Sequence, residues 1–196
     1  MFERYYMILF NEYLHKQFKE KLGTLLIFFV LMLSPGLSLK MFGVFFAILF
    51  GLLSDVKNRR LDLLTFLPYT RSMIYWFGFG FLVTIVLLTS LVGLPFYDSL
   101  SHFFTDLASS LIFLSAYLGL SFILVNFLSV DPYGSLFLIL ISDVILSSLG
   151  YSSVGHFYNP YRLISPLWQG NIFAAAIFAI VCLYLGYLSG VKKGGE

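Results

Sequence analysis

The sequence predicts an all-helical integral membrane protein with six transmembrane helices, and three observations support this fold class. Hydrophobic residues make up 59% of the 196 residues and charged residues 11%, whereas soluble domains carry about 25% charged residues. The apolar residues gather into six stretches. Backbone polar groups in lipid must pair within their own segment, so each stretch is predicted to be helical. A lipid bilayer is therefore the predicted solvent of this chain.

Residues 1–21 are the first predicted element, an amphipathic helix at the membrane surface. Charged residues run through this segment, which is not the pattern of a secretory signal peptide. We interpret it as an interfacial helix with tyrosines at the boundary and lysines facing water. The alternative is an amphipathic helix packed on the protein's own cytoplasmic loop. The apolar residues that recur there at helical spacing are Phe2, Tyr5, Tyr6, Leu9, Phe10, Tyr13, Leu14 and Phe18.

The six-helix transmembrane domain is predicted over residues 22–190. The second and fifth stretches are shorter than the roughly 17–25 residues of a full span, so they imply tilt or local thinning of the bilayer. A Ser34-Pro35-Gly36 break separates the first two stretches, which form either two short spans or two broken helices. The six apolar stretches are 22–38, 41–54, 73–94, 105–128, 135–150 and 169–190.

The basic residues predict that both termini, including the tail 191–196, lie in the cytoplasm of a multi-pass cell-membrane protein. With six spans, Lys40 and Arg162 fall on the outer side, and every other lysine and arginine falls on the side of the termini. Positive charge concentrates on cytoplasmic loops, which assigns that side to the cytoplasm. The inner set is Arg4, Lys16, Lys19, Lys21, Lys57, Arg59, Arg60, Arg71, Lys192 and Lys193.

Residues 54–71, SDVKNRRLDLLTFLPYTR, interrupt the apolar stretches with a cluster of positive charge. Three basic residues come first, an amphipathic run over 61–67 follows, and a proline and an arginine end the segment. This order predicts a short cytoplasmic helix that lies across the membrane surface and offers its apolar side to a partner.

The entry helix, the six spans and the segment ending LLTFLPYTR together resemble the permease subunits of ATP-binding-cassette exporters of the second exporter class. The resemblance implies a coupling helix that docks into a groove on a nucleotide-binding ATPase subunit. Asp55 is a departure, because glutamate is more often expected at that position. Residues 151–168, with Asn159-Pro160-Tyr161, look like the family's extracellular re-entrant region. The implied ATPase-coupling residues are Arg59, Arg60, Leu63, Leu64, Leu67, Pro68 and Arg71.

The resemblance also implies that this chain forms half of a dimeric pathway with a second permease subunit, either identical or different. ATP and Mg²⁺ would bind the separate ATPase, because the sequence contains no GxxxxGK[ST] phosphate loop. We therefore expect a transport subunit without a cofactor or metal of its own, without a nucleic-acid partner and without enzyme activity. The motif HExxH is absent. A rhomboid-type protease would need a GxSx serine on one helix and a histidine on another, whereas Ser153 and His156 belong to one loop. The alternative function is a non-transporting membrane scaffold or assembly subunit, which has no need of an apolar docking helix.

Two polar residues inside apolar stretches, Asp143 and Asn126, are candidates for the translocation pathway. An acid at the centre of a span costs about 2.5–3.5 kcal/mol on insertion scales, so Asp143 should face protein or a wet cavity. It lines a substrate path in one interpretation and makes a hydrogen bond between helices in the other. For Asn126 we favour a structural contact between helices.

Small residues repeat at helical spacing in the second and the last stretch. Small side chains let helices in lipid approach closely, so we expect packing contacts there. The sequence favours packing within one subunit over contact between subunits. The residues concerned are Gly43, Ala47, Gly51, Ala175, Ala179, Gly186 and Gly190.

Overall fold

The computed structural model describes residues 2–34, 37–58, 69–152, 165 and 170–192, and within these ranges the chain is helical with no strand. Helix α1 is Phe2–Met32 and α2 is Leu37–Ile48, which continues through a π-helix, Leu49–Leu53, into α3, Ser54–Lys57. The remaining helices are α4, Arg71–Gly93, followed by a 3₁₀ turn Leu94–Phe96, then α5, Leu100–Leu128, α6, Pro132–Ser152, and α7, Ile172–Lys192.

Four helical segments in the described part of the chain are long and apolar enough to cross a membrane. They are Leu37–Lys57, Arg71–Phe96, Leu100–Leu128 and Ile172–Gly190. At 1.5 Å per residue, the 21 residues of the first segment extend about 31 Å, which matches a hydrocarbon core of about 30 Å. The predicted all-helical membrane class is confirmed at this level, and the chain is a multi-pass membrane protein.

The count of six spans stays a prediction. The fifth stretch lies within α6, whose apolar part, Pro132–Ser148, is shorter than the other four segments. Residues 22–32 of the first stretch form the last third of α1, which ends at Met32, and residues 37–38 begin α2. The predicted entry segment 1–21 and the apolar residues after it thus form one continuous helix.

The chain divides into two compact units, residues 1–97 and 98–196. In the first unit, α1 packs against α2 and α4. Gly43 lets α1 and α2 approach closely, because a Cβ there would lie 3.1 Å from the carbonyl oxygen of Phe28. Beside this crossing, the rings of Phe28 and Phe46 stack with centroids 4.8 Å apart, and Phe50 extends the stack. The small residue at position 43 thus serves packing inside the unit.

In the second unit, α5 packs against both α6 and α7. The contact between α5 and α7 is closest where two glycines meet: a Cβ on Gly186 would lie 2.7 Å from the carbonyl oxygen of Gly119. Ala175 and Ala179 of α7 pack with Ile112 and Ala116 of α5 in one buried cluster. The small residues of the last stretch therefore serve packing within the unit, as the sequence favoured.

Polar residues in the connections fix where four of the helices begin. Thr70 accepts a hydrogen bond from the backbone N–H of residue 73 at the start of α4 (3.2 Å). Ser99 does the same for α5, Asp131 for α6 and Asn171 for α7. Such side chains satisfy backbone donors that a helix start leaves unpaired.

Candidate functional site

The residues predicted to couple to an ATPase fall mostly outside the described residues. This holds for Arg59, Arg60, Leu63, Leu64, Leu67 and Pro68. Arg71 is described; it is the first residue of α4 and is exposed. Of the predicted re-entrant region 151–168, the structure describes residues 151, 152 and 165 only. The structure describes the two ends of the coupling segment, residues 54–58 and 69–71.

Both ends of the coupling segment contact helix α1. On one side, the Asp55 carboxylate lies 2.6 Å from the Lys21 ammonium. On the other side, the Tyr69 hydroxyl donates to the carbonyl oxygen of Leu9 (3.5 Å), and its ring meets that of Tyr13 edge-on with centroids 6.4 Å apart. Positions 13 and 21 lie about 12 Å apart along a helix. The described residues on both sides of 59–68 therefore contact the same helix, α1.

We call the group formed by Gln17, Lys21, Asp55 and the Gly51 carbonyl the polar anchor. The Lys21 ammonium donates to the Asp55 carboxylate at 2.6 Å and to the carbonyl oxygen of Gly51 at 2.5 Å. The Gln17 amide donates to the same carboxylate oxygen at 3.1 Å. The side chains of Lys21 and Asp55 are only 8% and 3% exposed. Removing one partner of a buried pair leaves an uncompensated charge, which costs about 3–5 kcal/mol.

The anchor also holds acceptor atoms without a hydrogen-bond partner. They are Asp55 Oδ1 and Gln17 Oε1, both buried. Tyr13 lies on the same face of α1, and burial raises the pKa of Tyr13, with the negative charge of Asp55 as the next cause. Its phenol is therefore neutral across the physiological pH range.

The sequence interpretation missed the polar anchor. The sequence places Lys21 on the cytoplasmic side with the other basic residues, and Gln17 is not among the apolar residues that recur at helical spacing in the entry helix. The sequence feature that indicates the polar anchor is the spacing of four residues along α1: Leu9, Tyr13, Gln17 and Lys21. In the structure all four of these residues are buried. Residues four apart share one face of a helix, so the face that buries Tyr13 also buries both polar side chains.

Asp143 of α6 lies in a buried hydroxyl cluster in the second unit. The Tyr117 hydroxyl of α5 donates to its Oδ2 atom (2.8 Å), and the Ser165 hydroxyl donates to its Oδ1 atom. The hydroxyl oxygens of Ser147 and Ser165 lie 2.9 Å apart. The Ser147 hydroxyl donates to the Asp143 backbone carbonyl oxygen (2.6 Å). With 4% of the residue exposed, Asp143 makes the bond between helices that was one of its two interpretations. A role in a pathway stays a prediction.

Asn126 contributes to the contact between α5 and α7. Its amide donates to the Phe122 carbonyl oxygen one turn earlier (2.9 Å) and to the Ser189 hydroxyl of α7 (3.4 Å). Ser189 in turn donates to the carbonyl oxygen of Gly186 (2.7 Å). This geometry is the structural contact that the sequence favoured for Asn126.

Comparisons with protein-family models, with curated proteins and with solved structures gave no match. Among the described residues, no group of three or more His, Cys, Asp or Glu side chains is placed to hold a metal ion. The fold thus defines a class, the multi-pass helical membrane proteins.

Proposed function

We propose that the chain is the permease subunit of an ATP-driven exporter of the ATP-binding-cassette type. In this proposal it forms half of a dimeric translocation pathway with a second permease subunit, and a separate ATPase subunit supplies ATP hydrolysis. The membrane-competent helices and the composition of residues 54–71 support the proposal. The resemblance of that segment to the coupling helix of such permeases gives the proposal its particular class.

The observation that carries the proposal is the attachment of both ends of the coupling segment to α1. A loop that only connects two spans has no need of a buried ion pair at one end and an aromatic contact at the other. Because α1 also packs on α2 and α4, a force applied to residues 59–68 would reach three helices of the first unit. A coupling element needs this kind of attachment.

The mechanism follows from that attachment. ATP binding closes two partner ATPases on each other, and the coupling segment moves with the ATPase that holds it. The polar anchor and Tyr69 pass this movement to α1, and α1 passes it to the spans that it contacts. The permease pair then alternates between inward-open and outward-open forms.

The second candidate function, a membrane scaffold without transport, differs in one respect that can be measured. A scaffold would keep its partners when the apolar side of the segment is removed, whereas a permease would lose its ATPase. The doubly substituted chain Leu63→Asp with Leu64→Asp should therefore insert in the membrane at the normal level and fail to retain an ATPase subunit during purification in mild detergent.

Charge reversal provides a matched comparison. Arg59→Glu with Arg60→Glu should also release the ATPase. Lys16→Glu with Lys19→Glu makes the same change of charge on the exposed side of α1 and should leave the ATPase bound. Retention of the ATPase by both the arginine and the leucine variants would refute the coupling role.

A further inference from the structure

The π-helix Leu49–Leu53 lies directly before the coupling segment. A π-helix is an α-helix with an additional residue accommodated in one turn, and such turns are rare and frequent at functional sites. The helix from Leu37 to Lys57 therefore contains one residue more than a regular helix between the same two ends would hold. The π-helix determines which side chains of α3 face the protein.

Lys21 contacts the helix at the π turn and again one turn later. Its ammonium bonds to the carbonyl oxygen of Gly51, inside the π-helix, and to the carboxylate of Asp55 in α3. A regular α-helix would use the Gly51 carbonyl for the N–H of residue 55. The ammonium thus satisfies a carbonyl at the irregular turn and at the same time holds Asp55 against α1.

We propose that Lys21 is a positioning residue that maintains the π register and so sets the rotation of the helix entering the coupling segment. Without its ammonium, the additional residue joins a regular α-helix. Helix α3, which follows the π-helix, then turns by about 100° and advances by about 1.5 Å, the rotation and rise of one residue. Each residue of α3 takes the place that its successor held.

Two buried acceptor atoms of the polar anchor have no hydrogen-bond partner. They are Asp55 Oδ1 and Gln17 Oε1, whereas buried polar groups are generally paired. The π register thus leaves two buried acceptors of the anchor unpaired. The register itself does not depend on the proposed function; its consequence for an attached ATPase rests on that function.

The test measures which side chains of α3 face solvent. Asp55 is buried, Ser54 and Val56 are half-buried, and Lys57 is exposed. Single cysteines replace Ser54, Val56 and Lys57 in turn, in a Cys182→Ala background, and their reaction rates with a charged maleimide are measured in detergent. In the otherwise unaltered chain, the cysteine at 57 should react fastest.

In the Lys21→Met variant, the pattern should shift by one residue. The cysteine at 54 takes the buried place of Asp55 and loses its reactivity, and the cysteine at 56 takes the exposed place of Lys57 and gains reactivity. The cysteine at 57 takes the exposed place of Asn58 and stays reactive. The matched control is Lys40→Met, because Lys40 is also a buried lysine of the first unit but lies at the other end of the same span. It should leave the pattern unchanged.

Deletion of one leucine of the Leu52-Leu53 pair separates a register effect from general loosening. The deletion removes the additional residue, so a regular helix then gives α3 its native rotation with or without the Lys21 ammonium. Combined with Lys21→Met, it should restore the native pattern. If Lys21→Met alone fails to fold, the deletion in the otherwise unaltered chain still tests the proposal, because it should fold and keep the native pattern.

An unshifted pattern in folded Lys21→Met overturns the proposal, and so does a shifted pattern in the deletion variant. Neither result bears on the proposed transport function, which the release of the ATPase tests separately.

Discussion

The buried pair of Lys21 and Asp55 provides the most quantitative prediction for stability. Asp55→Asn removes the negative charge with little change in volume and leaves the ammonium 8% exposed without its anion. Lys21→Met leaves the carboxylate without its cation. Because an uncompensated buried charge costs about 3–5 kcal/mol, Asp55→Asn should lower the free energy of unfolding by that amount. Lys21→Met should cost less, because the register shift moves the carboxylate to the half-buried place of Val56.

The double variant Lys21→Met with Asp55→Asn should be far more stable than the sum of the two losses implies, because neither charge remains. Buried ion pairs replaced by neutral side chains are often close to neutral in stability. The difference between the double variant and the sum of the single variants is the coupling energy of the pair. A value above about 2 kcal/mol is expected for contacts of this kind.

The assay is thermal unfolding in detergent, followed by the loss of monodisperse protein. A chain of this size shifts its melting temperature by about 2–4 °C per kcal/mol, so Asp55→Asn should lower it by about 6–20 °C and Lys21→Met by less. Lys19→Met, on the exposed side of α1, serves as the control and should change stability by less than about 0.5 kcal/mol. Additive losses, or single variants as stable as the control, would refute the buried pair.

Two further predictions concern packing and hydrogen bonding. Gly186→Ala should lower the free energy of unfolding by about 1–3 kcal/mol because the added methyl meets the α5 backbone. The control is Gly23→Ala, which has open space around it and should be neutral or stabilising by up to about 1 kcal/mol. Equal melting temperatures for the two variants would contradict the close contact. Tyr117→Phe removes a donor to Asp143 and should cost about 0.6–1.7 kcal/mol, the range for hydrogen bonds between helices in membranes. Tyr184→Phe on an exposed position is its control, and a loss no larger than that of the control would argue against the bond.

The four membrane-competent segments could be located from the sequence because hydropathy is a local property. Their ends could not, as the second stretch shows: its predicted start excluded Lys40, but the span begins at Leu37. Lys40 is fully buried. Its ammonium donates to the Tyr97 hydroxyl (3.4 Å) and lies 5.7 Å from the centre of that ring. The sequence predicts a boundary of the span at the charged Lys40, because Tyr97, which contacts its ammonium, lies 57 positions away.

The polar anchor illustrates the same limit. Lys21 and Asp55 are 34 positions apart, and nothing local to either residue indicates that they meet. By contrast, the interhelical roles of Asn126 and of the small residues of α7 depend on general properties of helices in lipid, which is why the sequence favoured them. The π-helix has no signal in the pattern of apolar residues, since every residue from 49 to 53 is apolar.

The most direct test of the transport proposal is purification of the tagged chain from its own cells in mild detergent, followed by an ATP hydrolysis assay. We predict that an ATPase subunit co-purifies, that its activity is sensitive to vanadate, and that Leu63→Asp with Leu64→Asp abolishes the association. The proteins recovered would also show whether the second permease subunit is a copy of this chain. Recovery of the folded chain without any ATPase would contradict the proposal and favour the scaffold.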